Sequence, residues 1–236
     1  MKVSVKKSMG QGLHHCFAVG VVLLLGACAS GPKPKDWQLE AKSATERATA
    51  AYLEGNSRVE AVEFARVKAE ISSTGRADLM ARAELLRCAT HVASLVFEVC
   101  TGFEKLRLDA LPAEQAYADY LQARLQPRDA TLLPEPQRAA FLNGEAAIKS
   151  MTDPLSQLVA AGVALQSGGA SPAVVQLAVD TASAQGWRRP LLAWLGVQLA
   201  LAEKSGNARS SEDAIRLRRR IALVQGDLKS QPKASP

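Results

Sequence analysis

The sequence predicts an all-α fold. Apolar residues recur at spacings of three and four along most of the chain, and proline, glycine and Ser/Asn/Asp clusters fall between those stretches. No run of alternating polar and apolar residues long enough for a sheet interrupts the pattern. Residues 37–54 predict a first helix, and Gly55-Asn56-Ser57 a turn. Residues 58–72 predict a second, with Val59, Val62, Phe64, Ala65 and Ala69 as its apolar residues. Gly75 closes it, since a left-handed terminal residue carries no Cβ penalty when it is glycine. A third helix, 76–94, places Leu79, Ala83, Leu86 and Ala93 along one side, and Leu95-Val96-Phe97-Glu98-Val99 then reads as extended chain before Cys100.

Pro112 suits the first turn of a fourth helix bearing Ala113, Ala116, Tyr117, Tyr120 and Leu121. Pro127, Pro134 and Pro136 mark 127–136 as a boundary or hinge. A short helix over 137–148 follows, and Asp153-Pro154 opens another that runs to about 166. Gly168-Gly169 breaks the chain, after which Ser171-Pro172 supplies a cap and a first-turn proline for a helix ending near Gly186. Residues 191–202 are apolar on nearly every side except Gln198, which predicts a helix central in the core. Ser210 and Asp213 predict a capping box for a last helix that turns Ala214, Leu217, Ile221 and Val224 inward.

Consecutive helices joined by short turns predict hairpins, packed as a solenoid or as an irregular bundle. Tyr52, Asn56, Ala61, Ala65 and Lys68 resemble the spacing that tetratricopeptide repeats give to their Tyr, Gly, Ala, Phe and Ala, the residues at which their two helices meet. Leu195-Gly196, Leu199 and Ala214 resemble it again, with three extra residues around Gly206. Both arrangements stay open.

The amino end carries a different signal. Lys2, Lys6 and Lys7 precede an apolar stretch at 17–25 that is too short to span a bilayer, and Leu25-Gly26-Ala27-Cys28 follows. This resembles the signal peptide and lipobox of bacterial lipoproteins. The resemblance implies a diacylglyceryl group on the Cys28 thiol, cleavage between Ala27 and Cys28, and acylation of the new amino terminus. About three acyl chains anchor stably where one binds reversibly. In such lipoproteins an aspartate after the lipidated cysteine favours the inner membrane. Ala29 stands there, so the resemblance places the domain at the periplasmic face of the outer membrane. The expected organisation is a signal peptide over 1–27, a tether over 28–36, a single helical domain over 37–228 and a disordered tail over 229–236.

Removing the three amino-terminal lysines lowers the formal charge from +6 to +3, and only 5% of residues are aromatic. Neither a basic groove nor stacking platforms for nucleic acid are indicated. After residue 28 the cysteines are Cys88 and Cys100, an even pair that predicts a disulfide in an oxidising compartment. Two buried free thiols are the alternative. Cys88, His91 and Cys100 would give at most three metal ligands, at a spacing that matches no zinc pattern, so neither a metal nor a cofactor is expected.

His91 is the sole histidine after residue 27 and reads as a packing residue. No nucleophile elbow, phosphate-binding loop or dinucleotide fingerprint occurs. Ser230-Gln231-Pro232-Lys233 and Lys204-Ser205-Gly206 imitate two motifs of penicillin-binding proteins, but in reversed order. Glu60, Glu63 and Glu70 alternate with basic residues and read as a solvated face. Arg216, Arg218, Arg219 and Arg220 on the last helix read either as a solvated face or as contacts to anionic lipid or a carboxylate-rich partner. Arg188-Arg189 beside Trp187 has the same ambiguity. The expected function is a lipid-anchored, noncatalytic adaptor or scaffold for an unknown envelope protein or peptide. The alternative is a peptidoglycan-directed hydrolase whose carboxylates cluster in the fold.

Overall fold

The computed structural model describes residues 33–226. The expected signal peptide, Cys28, most of the tether and the 229–236 tail lie outside the described residues. In chain order, α1 spans Asp36–Glu54, α2 Ser57–Ser72, α3 Ala77–Ala93, α4 Thr101–Glu104, α5 Pro112–Leu121 and α6 Glu135–Asn143. They are followed by α7 Glu145–Ser150, α8 Pro154–Gln166, α9 Pro172–Ala184, α10 Arg188–Ser205 and α11 Ala208–Gln225. Short 3-10 turns occupy Arg107–Asp109 and Pro127–Leu132, and no strand occurs among the described residues. The fold is all-α.

Local chemistry sets most helix starts. The side chains of Asn56, Asp153 and Ser171 accept from the backbone N–H of Val59 (3.2 Å), Ser156 (2.7 Å) and Val174 (3.2 Å), satisfying donors that have no partner within the helix. Pro154 and Pro172 occupy first-turn positions where a missing N–H costs nothing. α11 starts one turn earlier than expected. Asn207 Oδ1 accepts from Ser210 N–H (2.8 Å) while Ser210 Oγ accepts from Asn207 N–H (3.0 Å), so the box is Asn207/Ser210 rather than Ser210/Asp213. The helix expected over 137–148 is two helices, because Gly144 adopts φ +59° and turns the chain between α6 and α7.

The described residues from Asp36 onward form one compact unit. α1 and α2 pair as a hairpin through Ala41, Ala44 and Ala48 against Phe64, Val67 and Ile71, small residues that let the second helix close on the first. α3 is the central helix, in contact with α1, α2, α4, α5 and α8. It meets α8 at Gly162, where a Cβ would lie 2.5 Å from the Val92 carbonyl oxygen. Its carboxyl end is held by Trp194 of α10, which is fully buried and donates its indole N–H to the Ala93 carbonyl at 3.1 Å. α10 in turn reaches back to α1. Arg189 donates to the Tyr52 carbonyl and to Ser57 Oγ, both at 2.7 Å, and lies 4.3 Å from the centre of the Tyr52 ring.

Three expectations about faces are corrected. In α2 the buried residues are Glu60, Glu63, Phe64, Val67 and Ile71, while Val59, Val62, Ala65 and Ala69 are exposed. Glu60 and Glu63 are therefore not a solvated face. Arginines from neighbouring turns and helices neutralise them, with Arg87 Nε 2.7 Å from Glu60, and Arg47 Nε and Arg66 at 2.9 and 2.8 Å from Glu63. Glu70 is half-buried. Ala61, Ala65 and Lys68, which tetratricopeptide-like spacing would turn into a helix interface, face solvent. α10 is central only in its first half, at Pro190, Leu191, Trp194 and Leu195. Beyond that point α11 covers one side, and Gly196, Ala200 and Leu201 lie on the open side.

Candidate functional site

α3 is buried on most sides, but its solvent-facing turns leave an apolar groove beside α1 and α5. One lobe, about 400 Å³, is walled by Leu86 of α3, Ala113 and Tyr117 of α5, Leu132 at the end of the second 3-10 turn and Pro134 after it, over a floor of Leu85 and Leu133. A second lobe, about 420 Å³, is lined by Trp37, Ala41 and Thr45 of α1, Ile71 of α2, and Leu79 and Ala83 of α3. Arg82 and Leu86 belong to both, so the lobes join into one trough.

One carboxylate lies in this apolar lining. Glu114 stands in the first turn of α5, where a negative side chain is favoured by the unpaired amides of the helix start. Its Oε1 accepts from Arg82 Nε at 2.6 Å, and its side chain is only 11% exposed. Its Oε2 is buried and has no hydrogen-bond partner among the described residues. A buried acceptor left unpaired costs about 1–3 kcal/mol, so the Glu114 carboxylate is held beside the trough by Arg82 with one oxygen shut off from water. Tyr117, which lines the same lobe, stacks on Tyr120 with centroids 6.0 Å apart, and burial pushes both phenols above their ordinary value.

The residues singled out from sequence are scattered around this trough. Cys88 and Cys100 lie at disulfide distance, with Cα atoms 5.9 Å apart, and join α3 to the start of α4 across the irregular segment at 95–99. Leu95 turns that segment at φ +60°, a left-handed conformation that costs a branched aliphatic residue energy and that the surrounding contacts must hold. His91 stacks on Tyr52, with centroids 4.5 Å apart and planes 11° from parallel, and its Nε2 is buried. Desolvation, then Arg87, pushes His91 below its ordinary value, and Glu60 and Glu98 oppose them. Arg189 belongs to the α1–α10 junction described above, and Arg188 donates to the Gln225 carbonyl at 3.3 Å. The four arginines of α11 diverge. Arg218 turns to Glu203 (2.6 Å), Arg216 and Arg220 line a depression with Gln176 and Gln198, and Arg219 faces away from the core.

No protein-family model, curated protein or solved structure matches this chain. The reading of the site therefore rests on its own geometry. The carboxylates with shifted titration are all held ionised. Arg76 lowers Asp78 to about 2, Arg107 lowers Glu104, and Lys149 with Ser171 lowers Glu145. Glu104 and Asp119 share both Arg107 and Arg124. No group of three His, Cys, Asp or Glu side chains able to hold a metal occurs among the described residues. No described helix is long and apolar enough to cross a membrane.

Glu114 and Arg82 were not singled out from sequence. A first-turn acid after a proline is a common helix start, and nothing local links it to an arginine thirty-two positions earlier. Only the approach of α3 to α5 makes the pair, and the apolar walls around it come from four separate segments.

Proposed function

We propose that this protein is a lipid-anchored, noncatalytic adaptor of the cell envelope, holding an apolar peptide segment of a partner protein in the trough between α1, α3 and α5. The observation that carries this reading is the pair of joined, mainly apolar lobes of about 400 and 420 Å³, with the Glu114–Arg82 ion pair set in the wall of the first. Apolar walls supply affinity through area removed from water, and the half-exposed Arg82, fixed by Glu114, offers donors that orient a backbone carbonyl or acidic side chain of the guest. An amphipathic helix laid along the trough would place residues at i, i+3 or i+4 and i+7 in the two lobes, about 10 Å apart along its axis. Acyl chains on Cys28 would hold the domain at the outer membrane, with 28–36 as the tether.

Site-specific photocrosslinking in cells tests this reading. A photoreactive phenylalanine replaces Leu132, which is 39% exposed on the trough wall, and in a second strain replaces Leu142, 63% exposed and not part of the trough lining. The expected result is a discrete adduct from position 132, absent from position 142 and lost with Glu114→Ala. Equal adducts from both positions, or none from either, would overturn the assignment of the trough.

A further inference from the structure

We infer that the outward face of α11 from Ile215 to Leu223 is a second attachment point, lying on an anionic lipid surface. The inference is independent of the trough. α11 turns Ala214, Leu217, Ile221 and Val224 toward the core, and at 100° per residue the opposite direction passes through Arg219. Ile215, Arg219 and Leu223 form a stripe at intervals of four, with Ile215 48% and Leu223 61% exposed. Arg216 and Arg220 form the adjacent stripe. Acidic side chains are confined to the first half of the helix, where Glu212 and Asp213 approach Arg216 at 3.5 and 3.7 Å. Glu203 of α10 pairs with Arg218 on the flank. No carboxylate pairs with Arg219 or Arg220 among the described residues.

The mixture of side chains selects the partner. A carboxylate-rich protein would engage the guanidinium groups but leave two large aliphatic residues in water on the same face. A phospholipid surface presents both needs at once, with phosphates for bidentate guanidinium contacts and an apolar layer just beneath for Ile215 and Leu223. The stripe from Ile215 to Leu223 is about 12 Å long, and the depression beside it at Arg216 and Arg220 is lined largely by the polar side chains of Gln176, Gln198 and Asp213. Each arginine near an anionic leaflet adds only a small increment of binding, so the helix would orient a domain already tethered there and would not capture a free one.

The test uses the full chain with vesicles of phosphatidylcholine alone or of equal parts phosphatidylcholine and phosphatidylglycerol. With Cys28 acylated as in the proposed function, on which this test rests, attachment through the amino terminus is common to both, so a difference between them isolates charge-dependent contact. Arginine modification by phenylglyoxal is followed residue by residue by mass spectrometry. Arg216 and Arg219 should react several-fold more slowly on the anionic vesicles only, and recover in about 1 M salt, where the screening length falls to about 3 Å. Ile215→Ser combined with Leu223→Ser, both at exposed positions, should restore most of the Arg219 reactivity while leaving attachment unchanged. Equal reactivity on both vesicle types would overturn the proposal. Protection by soluble polyglutamate as strong as that by anionic vesicles, or protection unaffected by the double variant, would overturn the assignment to lipid.

Discussion

Gly162→Ala is the sharpest perturbation of the fold. Gly162 lies in α8, where it crosses α3, and an added Cβ would stand 2.5 Å from the Val92 carbonyl oxygen and 3.1 Å from Val92 Cγ1. The nearest obstacle is backbone, so no rotamer change relieves it, and the two helices must separate by roughly an ångström. A gap of that size forfeits about a quarter to a half of the dispersion energy of each atom pair it opens. Neither helix is free to yield. α3 is held at its carboxyl end by Trp194 on Ala93, and the Gln157 amide of α8 donates to the Ile148 carbonyl at 3.0 Å. Overpacking at the upper end of its range costs about 3 kcal/mol, against which alanine recovers about 1 kcal/mol of helix propensity over glycine. The net loss is about 2 kcal/mol, a drop in Tm of roughly 4–8 °C for a domain of this size. Circular dichroism melts measure it, with Gly196→Ala as the control, because nothing lies within 4 Å of a Cβ built there. The control should melt at or above the wild-type temperature. Gly162→Ala melting with the wild type would show that α3 and α8 do not approach as described.

Three further outcomes follow from named contacts. Reduction, or Cys88→Ser, should cost about 3 kcal/mol, because Cys88 and Cys100 close a loop across a separation of 12 residues. Two reactive thiols at those positions in unfolded, unreduced exported protein would contradict the bridge. Arg87→Ala should cost about 1–3 kcal/mol in urea titrations by leaving the Glu60 carboxylate, 7% exposed, without its partner, and Glu60→Gln in the same chain should recover part of the loss. His91 is held below its ordinary value of 6.5 by burial, so the folded state binds fewer protons than the unfolded one as the solution becomes acidic. Its contribution is complete above 6.5 and declines as the pH falls below it, by at most about 1.4 kcal/mol per pH unit. His91→Gln should flatten that slope below about pH 6.5, and an unchanged slope there would remove His91 as its source.

The features legible in the sequence are those decided within a few residues. Asn56, Asp153-Pro154 and Ser171-Pro172 start helices through a side chain and the backbone three residues on, so their effect is visible in a short window. The apolar pattern of α11 likewise gave Ala214, Leu217, Ile221 and Val224 as its inner face. The face of α2 was misread because its determinants lie elsewhere. Glu60 and Glu63 point inward only because Arg87 and Arg47 arrive from α3 and α1. The partial exposure of α10 is not legible for a related reason, since an apolar helix surface does not reveal that the fold supplies neighbours only along part of it. The trough was not legible at all. Its apolar residues are ordinary helix-face residues until four segments meet, and Glu114 becomes unusual only when a neighbouring helix excludes water from one of its oxygens.

Affinity selection from a display library of random helical peptides, using the full chain as bait, tests the trough most directly. The wild-type protein should enrich peptides with apolar residues at i, i+3 or i+4 and i+7. A variant carrying Glu114→Ala and Leu132→Asp should bind those peptides at least about tenfold less tightly, a loss of about 1.4 kcal/mol or more. Failure to enrich any common pattern, or enriched peptides that bind the variant equally well, would contradict the assignment of the trough as the binding surface.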